Sequence, residues 1–261
     1  MTRQPTSDEI FYLKSAARML LFPTSTWATG LVLFHRYCDY ISSQRGSNRD
    51  KDVIPSQICI LLCLYLASKA TEEPRRQQDI INVGYKLEHP NGDAFLRVDE
   101  QMDALRNTMT QAELVLVRIL GFDVNVELPH NWIASILYGM AWWETKGVPP
   151  SDTELVDTRV KDVARLAWLV ANNAVSAGLV DRESARVMAA ACILISLRAD
   201  SLPLPASDLS EWADVWARSS ASRVERVQRL IEEHVDIAKC KQERDASNSR
   251  RANREVSYES Q

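Results

Sequence analysis

Four charged side chains stand where an otherwise greasy chain has little local need of them. The stretch "LLCLYLASKATEEP", residues 61–74, is apolar for most of its length and then ends on Lys69, Glu72 and Glu73. A base at a helix C-terminus suits the macrodipole and Pro74 stops the helix, which explains a lysine and nothing more. The fourth charge is Glu113. On its helix Leu105, Met109, Ala112, Leu116 and Ile119 form one apolar strip that should face a core. Val117 and Leu120 form a second, within about 40° of Glu113 on a helical wheel. Such a carboxylate has two readings. Either it snorkels to water from a wide core stripe, or Lys69 and Glu113 belong to a docking face and reach a partner's backbone from within an apolar patch. In both, the chemistry is hydrogen bonding and charge.

The remaining reactive residues form no site. His35, His89, His130 and His234 are scattered and share no metal spacing with the cysteines. Cys59 and Cys63 are four apart with no histidine or acid near them, which reads as core, and His35 reads as a satisfied core or boundary residue. No Gly-rich phosphate loop, nucleophile elbow or metalloprotease motif occurs. No catalytic residue, cofactor or metal is therefore expected. Trp142-Trp143 reads as core plus domain interface, and Arg250, Arg251 and Arg254 are too dispersed to make an import signal.

The elements that must position these residues are helices. Only 8 of 261 residues are glycine, and long stretches lack both Gly and Pro, which favours an all-α chain. The first helix is expected from Asp8 to Leu20, capped by Thr6 or Ser7. The second is "TSTWATGLVLFHRYCDYI" after Pro23. The third has Pro55 in its first turn and is apolar on every face, so its neighbours should surround it. "QQDIINVGYKL" is the fourth, and "DEQMDALRNTMTQAELVLVRIL", closed by Gly121, the fifth. The second half repeats the order. "LPHNWIASILYGMAWWE", "DTRVKDVARLAWLVANNAV", a second all-round apolar helix "ESARVMAAACILISLR" ending on Arg198, the short "LSEWADVWA" and "SRVERVQRLIEEHVDIA" complete it. Two tandem five-helix units follow: residues 1–7 as an N-terminal extension, 8–128, 129–238, and a polar tail 239–261 that is expected to be disordered.

Bulk properties narrow the class. A net charge of −4 argues against a broad nucleic-acid footprint. Cys38, Cys59, Cys63, Cys192 and Cys240 are odd in number and lie mainly in apolar runs, as free core thiols of a reducing compartment do. The N-terminus lacks an apolar signal region, and the run Ile58–Ala67 is too short to span a bilayer. An intracellular soluble protein is expected.

"LASK", the acidic pair just after it and "AELVLVRILGFDV" resemble the first cyclin box. In that family the Lys and Glu hydrogen-bond backbone groups near the start of the kinase's mobile helix, and the resemblance implies those roles for Lys69 and Glu113. It implies apolar contact from Leu66, Ala70, Val117, Leu120 and Val124, with Glu72 as the acid in register. It covers about residues 8–238, at motif level in the first half and mainly in architecture in the second. "LVLFHRYCDYI" resembles the second helix of transcription-type cyclins. "RRQQDIINVGYKLEHPNG" with "QAELVLVRILGFDVNVELPH" is similar to the cyclin Q group, also called cyclin M, whose members pair with the cyclin-dependent kinase numbered ten. The chain departs from the pattern after Lys69, where Ala70 and Thr71 stand before a single acid in register, leaving Glu73 without an assigned role. The first helix also lacks the hydrophobic-patch motif that catches substrate peptides.

The implied protein is a non-catalytic subunit that forms a heterodimer with a cyclin-dependent kinase, in nucleus and cytoplasm, without touching nucleic acid or membrane directly. Two alternatives stay open: a promoter-bound factor of the same double five-helix fold, which needs a basic DNA face, and a helical adaptor with no kinase.

Overall fold

The computed structural model describes residues 3–44, 54–91, 100–144 and 158–259. Among them are eleven α-helices: α1 (Ser7–Met19), α2 (Thr24–Ser43), α3 (Ser56–Ala70), α4 (Gln77–Glu88), α5 (Glu100–Ile119), α6 (Pro129–Glu144), α7 (Thr158–Ser176), α8 (Ala185–Ala199), α9 (Leu209–Trp212), α10 (Ala221–His234) and α11 (Ile237–Glu259). The chain divides into two compact units, Met1–Val126 and Glu127–Gln261. No described helix is long and apolar enough to cross a membrane. The Pro-Pro loop and the side chains of Trp142 and Trp143 lie outside the described residues.

In the first unit α1 starts with a capping box. Thr6 Oγ1 accepts from the Glu9 amide at 3.2 Å, and Glu9 Oε2 accepts from the Thr6 amide at 2.9 Å. The centre is α3, packed by α1, α2, α4 and α5. Cys59, Leu62, Cys63, Leu64 and Ala67 are wholly buried on it. A helix apolar on all sides is stable only inside such a ring, and each fully buried leucine contributes about 2 kcal/mol. Gly30 lets α2 approach, since a Cβ there would stand 3.0 Å from Leu64 Cδ2. The entry to α3 is tied to α2 as well. Tyr37 Oη donates to the Ile54 carbonyl at 3.0 Å and accepts from the Ile54 amide at 2.9 Å.

The second unit repeats the plan around α8, which packs against α6, α7 and α10. Its run Ala189–Ala190–Ala191 is completely buried, so small side chains do here what Leu62 and Leu64 do in α3. After α9 the chain unwinds into a wider, π-helical turn, Ala213–Ala217.

The tail departs from the expectation of disorder. The last amphipathic helix stops at His234, and α11 then runs from Ile237 to Glu259 and packs on α7. Cys240 and Arg244 are buried along its inner stripe. Arg244 forms a two-pronged ion pair with Asp200, and Lys241 Nζ donates to the Ala199 carbonyl at 2.7 Å. Asn248 donates to Asp162 at 2.9 Å and accepts from Arg165. Polar residues four apart hold this helix, so it carries almost no apolar period.

Candidate functional site

The two predicted pins come together. Lys69 is in the last turn of α3, Glu113 is in the C-terminal half of α5, and Nζ donates to Oε1 at 2.5 Å. The ammonium also lies over the Tyr65 ring, 3.9 Å from its centroid. Lys69 keeps 45% of its side chain exposed and Glu113 18%, so the pair adds at most about 1 kcal/mol to stability. Its chemical capacity is larger. An ammonium has three N–H donors, of which Glu113 takes one, and Oε2 is left to accept. The pair therefore offers donors and an acceptor side by side, the complement of a peptide backbone.

The helix ends that carry the pins are rigid by construction. At α3 the Glu73 amide donates to the Ser68 carbonyl at 2.8 Å and the Glu72 amide to the Lys69 carbonyl at 3.3 Å. Glu72 takes the left-handed conformation, φ +59°, which this cap requires. Thr71 gives its hydroxyl to the Ala67 carbonyl at 2.9 Å and lies 2.7 Å from the buried hydroxyl of Thr26 on α2. That accounts for a threonine where the family pattern departs. At α5, Gly121 and Phe122 are both left-handed, and the Phe122 amide donates to the Val117 carbonyl at 2.9 Å. Arg36 on α2 then holds the following segment through the Asp123 carbonyl at 3.2 Å.

Around the pins the other predicted residues separate by exposure. Ala70 and Glu72 are exposed, while Val117 and Val124 are half-buried. Leu66 and Leu120 are buried in the unit's own core and leave little area for a partner. Glu73 turns to Arg75 at 3.8 Å. Two residues that sequence reasoning passed over are the most open large apolar groups of α5 and its cap: Leu114 is 66% exposed and Phe122 75%. Leu114 precedes Val117 by one helical turn, a spacing visible in the sequence. Phe122 gave no signal apart from following Gly121, because periodicity finds buried residues and this one is held out by its cap.

No protein-family model matches the chain. Human Cyclin-L1 is 30% identical over 196 residues, which is 74% of this chain and 33% of that protein. Mouse Cyclin-L2 is 29% identical over the same length and the same shares. The chain thus spans about a third of the length of these curated relatives, and the similarity is longer than either unit. A chain of the crystal structure of the yeast RNA Pol II CTD kinase CTDK-1 complex has the same fold, with a TM-score of 0.60 at 17% identity over 86% of this chain and 63% of that one. A duplicated helical unit with a buried central helix, and similarity to L-type cyclins over a stretch longer than either unit, place the chain in the cyclin family.

Proposed function

We propose that this chain is the regulatory subunit of a cyclin-dependent protein serine/threonine kinase and performs no chemistry itself. The observation that carries the reading is the Lys69–Glu113 pair linking the end of α3 to α5, with Leu114 and Phe122 exposed on that helix and its cap. Phosphoryl transfer in such kinases requires a Lys–Glu ion pair and a metal-binding Asp, both set by the position of one mobile helix. A rigid surface that binds only the working pose shifts the population toward it. Moving the balance from 1:99 to 99:1 takes about 5.5 kcal/mol of differential affinity. Leu114, Phe122, Val117 and Ala70 supply apolar contact, and Lys69 and Glu113 fix register on the helix backbone, with Glu72 at the rim. In the narrower form of the proposal the partner is the kinase numbered ten of that family and the complex works in the nucleus.

The test is affinity capture and kinase activation with purified kinase ten beside other members of the kinase family. Lys69→Ala and Glu113→Ala are each expected to weaken binding by about thirtyfold or more, since truncation strands a polar group of the partner. The exchanged variant Lys69→Glu with Glu113→Lys restores the internal pair and presents donor and acceptor in reverse. It is expected to fold normally and fail to activate. Full activation by that exchange would sink the assigned surface, and equal capture of several kinases would remove the narrower form alone.

A further inference from the structure

The second unit gathers arginines that neither its core nor the docking surface uses. Arg186 is in the first turn of α8, where a positive charge opposes the helix dipole. Its head is nonetheless fixed. Nε donates to the Trp216 carbonyl at 2.7 Å, Nη2 to the Val215 carbonyl at 3.3 Å, and the guanidinium lies 4.7 Å from the centroid of the Trp132 ring. Those carbonyls belong to the π-helical turn that Arg218 ends, exposed and left-handed at φ +49°. The Arg186 head and the Arg218 residue are thereby brought to one turn, and no carboxylate among the described residues pairs with either. Burial and the charge of Arg218 both push Arg186 below the usual guanidinium range. The nearest buried acid, Glu183, is taken by Arg223 and Arg226. Ser220, which opens α10, bonds Ser222 and caps no backbone amide of that helix. Like charges left unneutralised in a chain of net charge −4 call for an anion from outside.

We propose that Arg186 and Arg218, beside the start of α10, bind the phosphate of a phosphorylated peptide segment. Val215, 41% exposed, and the half-buried Trp132 and Trp216 give apolar footing to the residues that flank the phosphate. Asp208, Glu211 and Asp214 lie just upstream of Arg218 and would repel the repeated charges of a nucleic-acid strand. A single phosphate at Arg186 and Arg218 meets that repulsion once, offset by two guanidiniums, where a strand would meet it at every nucleotide. The proposal is independent of kinase docking.

Fluorescence anisotropy on the full chain tests it, using labelled peptide pools with phosphoserine, serine or glutamate fixed at the centre, and a single-stranded oligonucleotide. The phosphoserine pool is expected to bind about tenfold tighter than the serine pool, the margin of charge-assisted hydrogen bonds. Arg218→Gly is expected to erase that margin without lowering Tm, because glycine suits the left-handed position. Equal binding of the serine and phosphoserine pools, or a margin that survives Arg218→Gly, would overturn the assignment. So would oligonucleotide binding that is tighter than peptide binding and lost in the same variant.

Discussion

The central helices of the two units end in the same way. At α3 the amide of Glu73 reaches back to Ser68; at α8 the amide of Leu202 reaches back to Leu197 at 2.9 Å, and Glu72 and Ser201 are both left-handed. Each end carries a base, and each base meets a neighbouring helix: Lys69 meets Glu113 on α5, and Arg198 meets Gln228 at 2.6 Å and Glu225 at 3.9 Å on α10. The two ends part at the capping residue. Thr71 bonds a neighbouring hydroxyl, whereas Asp200 is gripped by Lys241 and the buried Arg244 of α11. The second unit closes its end with its own helix. The first leaves Leu114 and Phe122 exposed on α5 and its cap. One scaffold thus ends in two ways, closed by its own helix in the second unit and open in the first, and the open end is the one proposed to meet a kinase.

That contrast can be broken most sharply at Arg244. Arg244→Ala leaves a mostly buried Asp200 with Lys241 as its remaining ion-pair partner, and a urea titration is expected to show a loss of about 2 kcal/mol from the second unit. Lys69→Ala is expected to cost less than about 1 kcal/mol in the same titration, because its pair is half open to water. Kinase affinity should reverse the order, falling with Lys69→Ala and staying unchanged with Arg198→Ala. If Arg198→Ala weakened kinase binding as much, the two ends would not have separate uses.

Acid sharpens the comparison next, because among the described carboxylates held below their usual range Glu183, Asp200 and Glu211 lie in the second unit and Glu9 alone in the first. Hydrogen bonds from Arg223 bring Glu183 down to about 2. At Asp200 burial opposes ionisation, but the hydrogen bonds from Arg244 and Lys241 outweigh it and the carboxyl sits below its usual range. A depressed carboxylate stabilises the fold above its unfolded pKa and loses that effect as pH falls toward its folded one. Scanning calorimetry is therefore expected to show the second unit weakening from about pH 4.5 downward, and Glu183→Gln should flatten that limb. His130 acts at higher pH. Burial, opposed by the bond to Asn172, lowers its pKa, so its share of stability is full above about pH 6.5 and declines below it.

The smallest expected effect is at Glu72. Glu72→Gly relieves a left-handed side chain and is expected to raise stability by up to about 1 kcal/mol. If its carboxylate touches the kinase, affinity drops while Tm rises; unchanged affinity would remove Glu72 from the surface.

The helices of the first unit were legible because their punctuation is local: Thr6, Pro23, Pro55 and Gly121 act within a few residues of where they stand. The paired location of Lys69 and Glu113 was legible through motif resemblance. Their bond to each other was not, since nothing in the spacing of two distant residues states that Nζ meets Oε1. Leu66 and Leu120 were expected at the surface and lie in the core, because a wheel ranks faces without saying how deep each one sits. The order in α11 escaped for the opposite reason. Cys240, Arg244 and Asn248 hold it by charge and hydrogen bonds, a code that apolar periodicity does not read.

The hydroxyl contact between Thr26 and Thr71 has one more result. A hydrogen bond has a direction as well as a length, so it stops the tip of α3 from sliding along α2 or twisting against it. Under the proposed function an incoming helix would meet a tip that has already given up its freedom, and less of the association energy would go into ordering it. Such a tip should act as a fixed stop rather than a spring: the moving part would be the partner's.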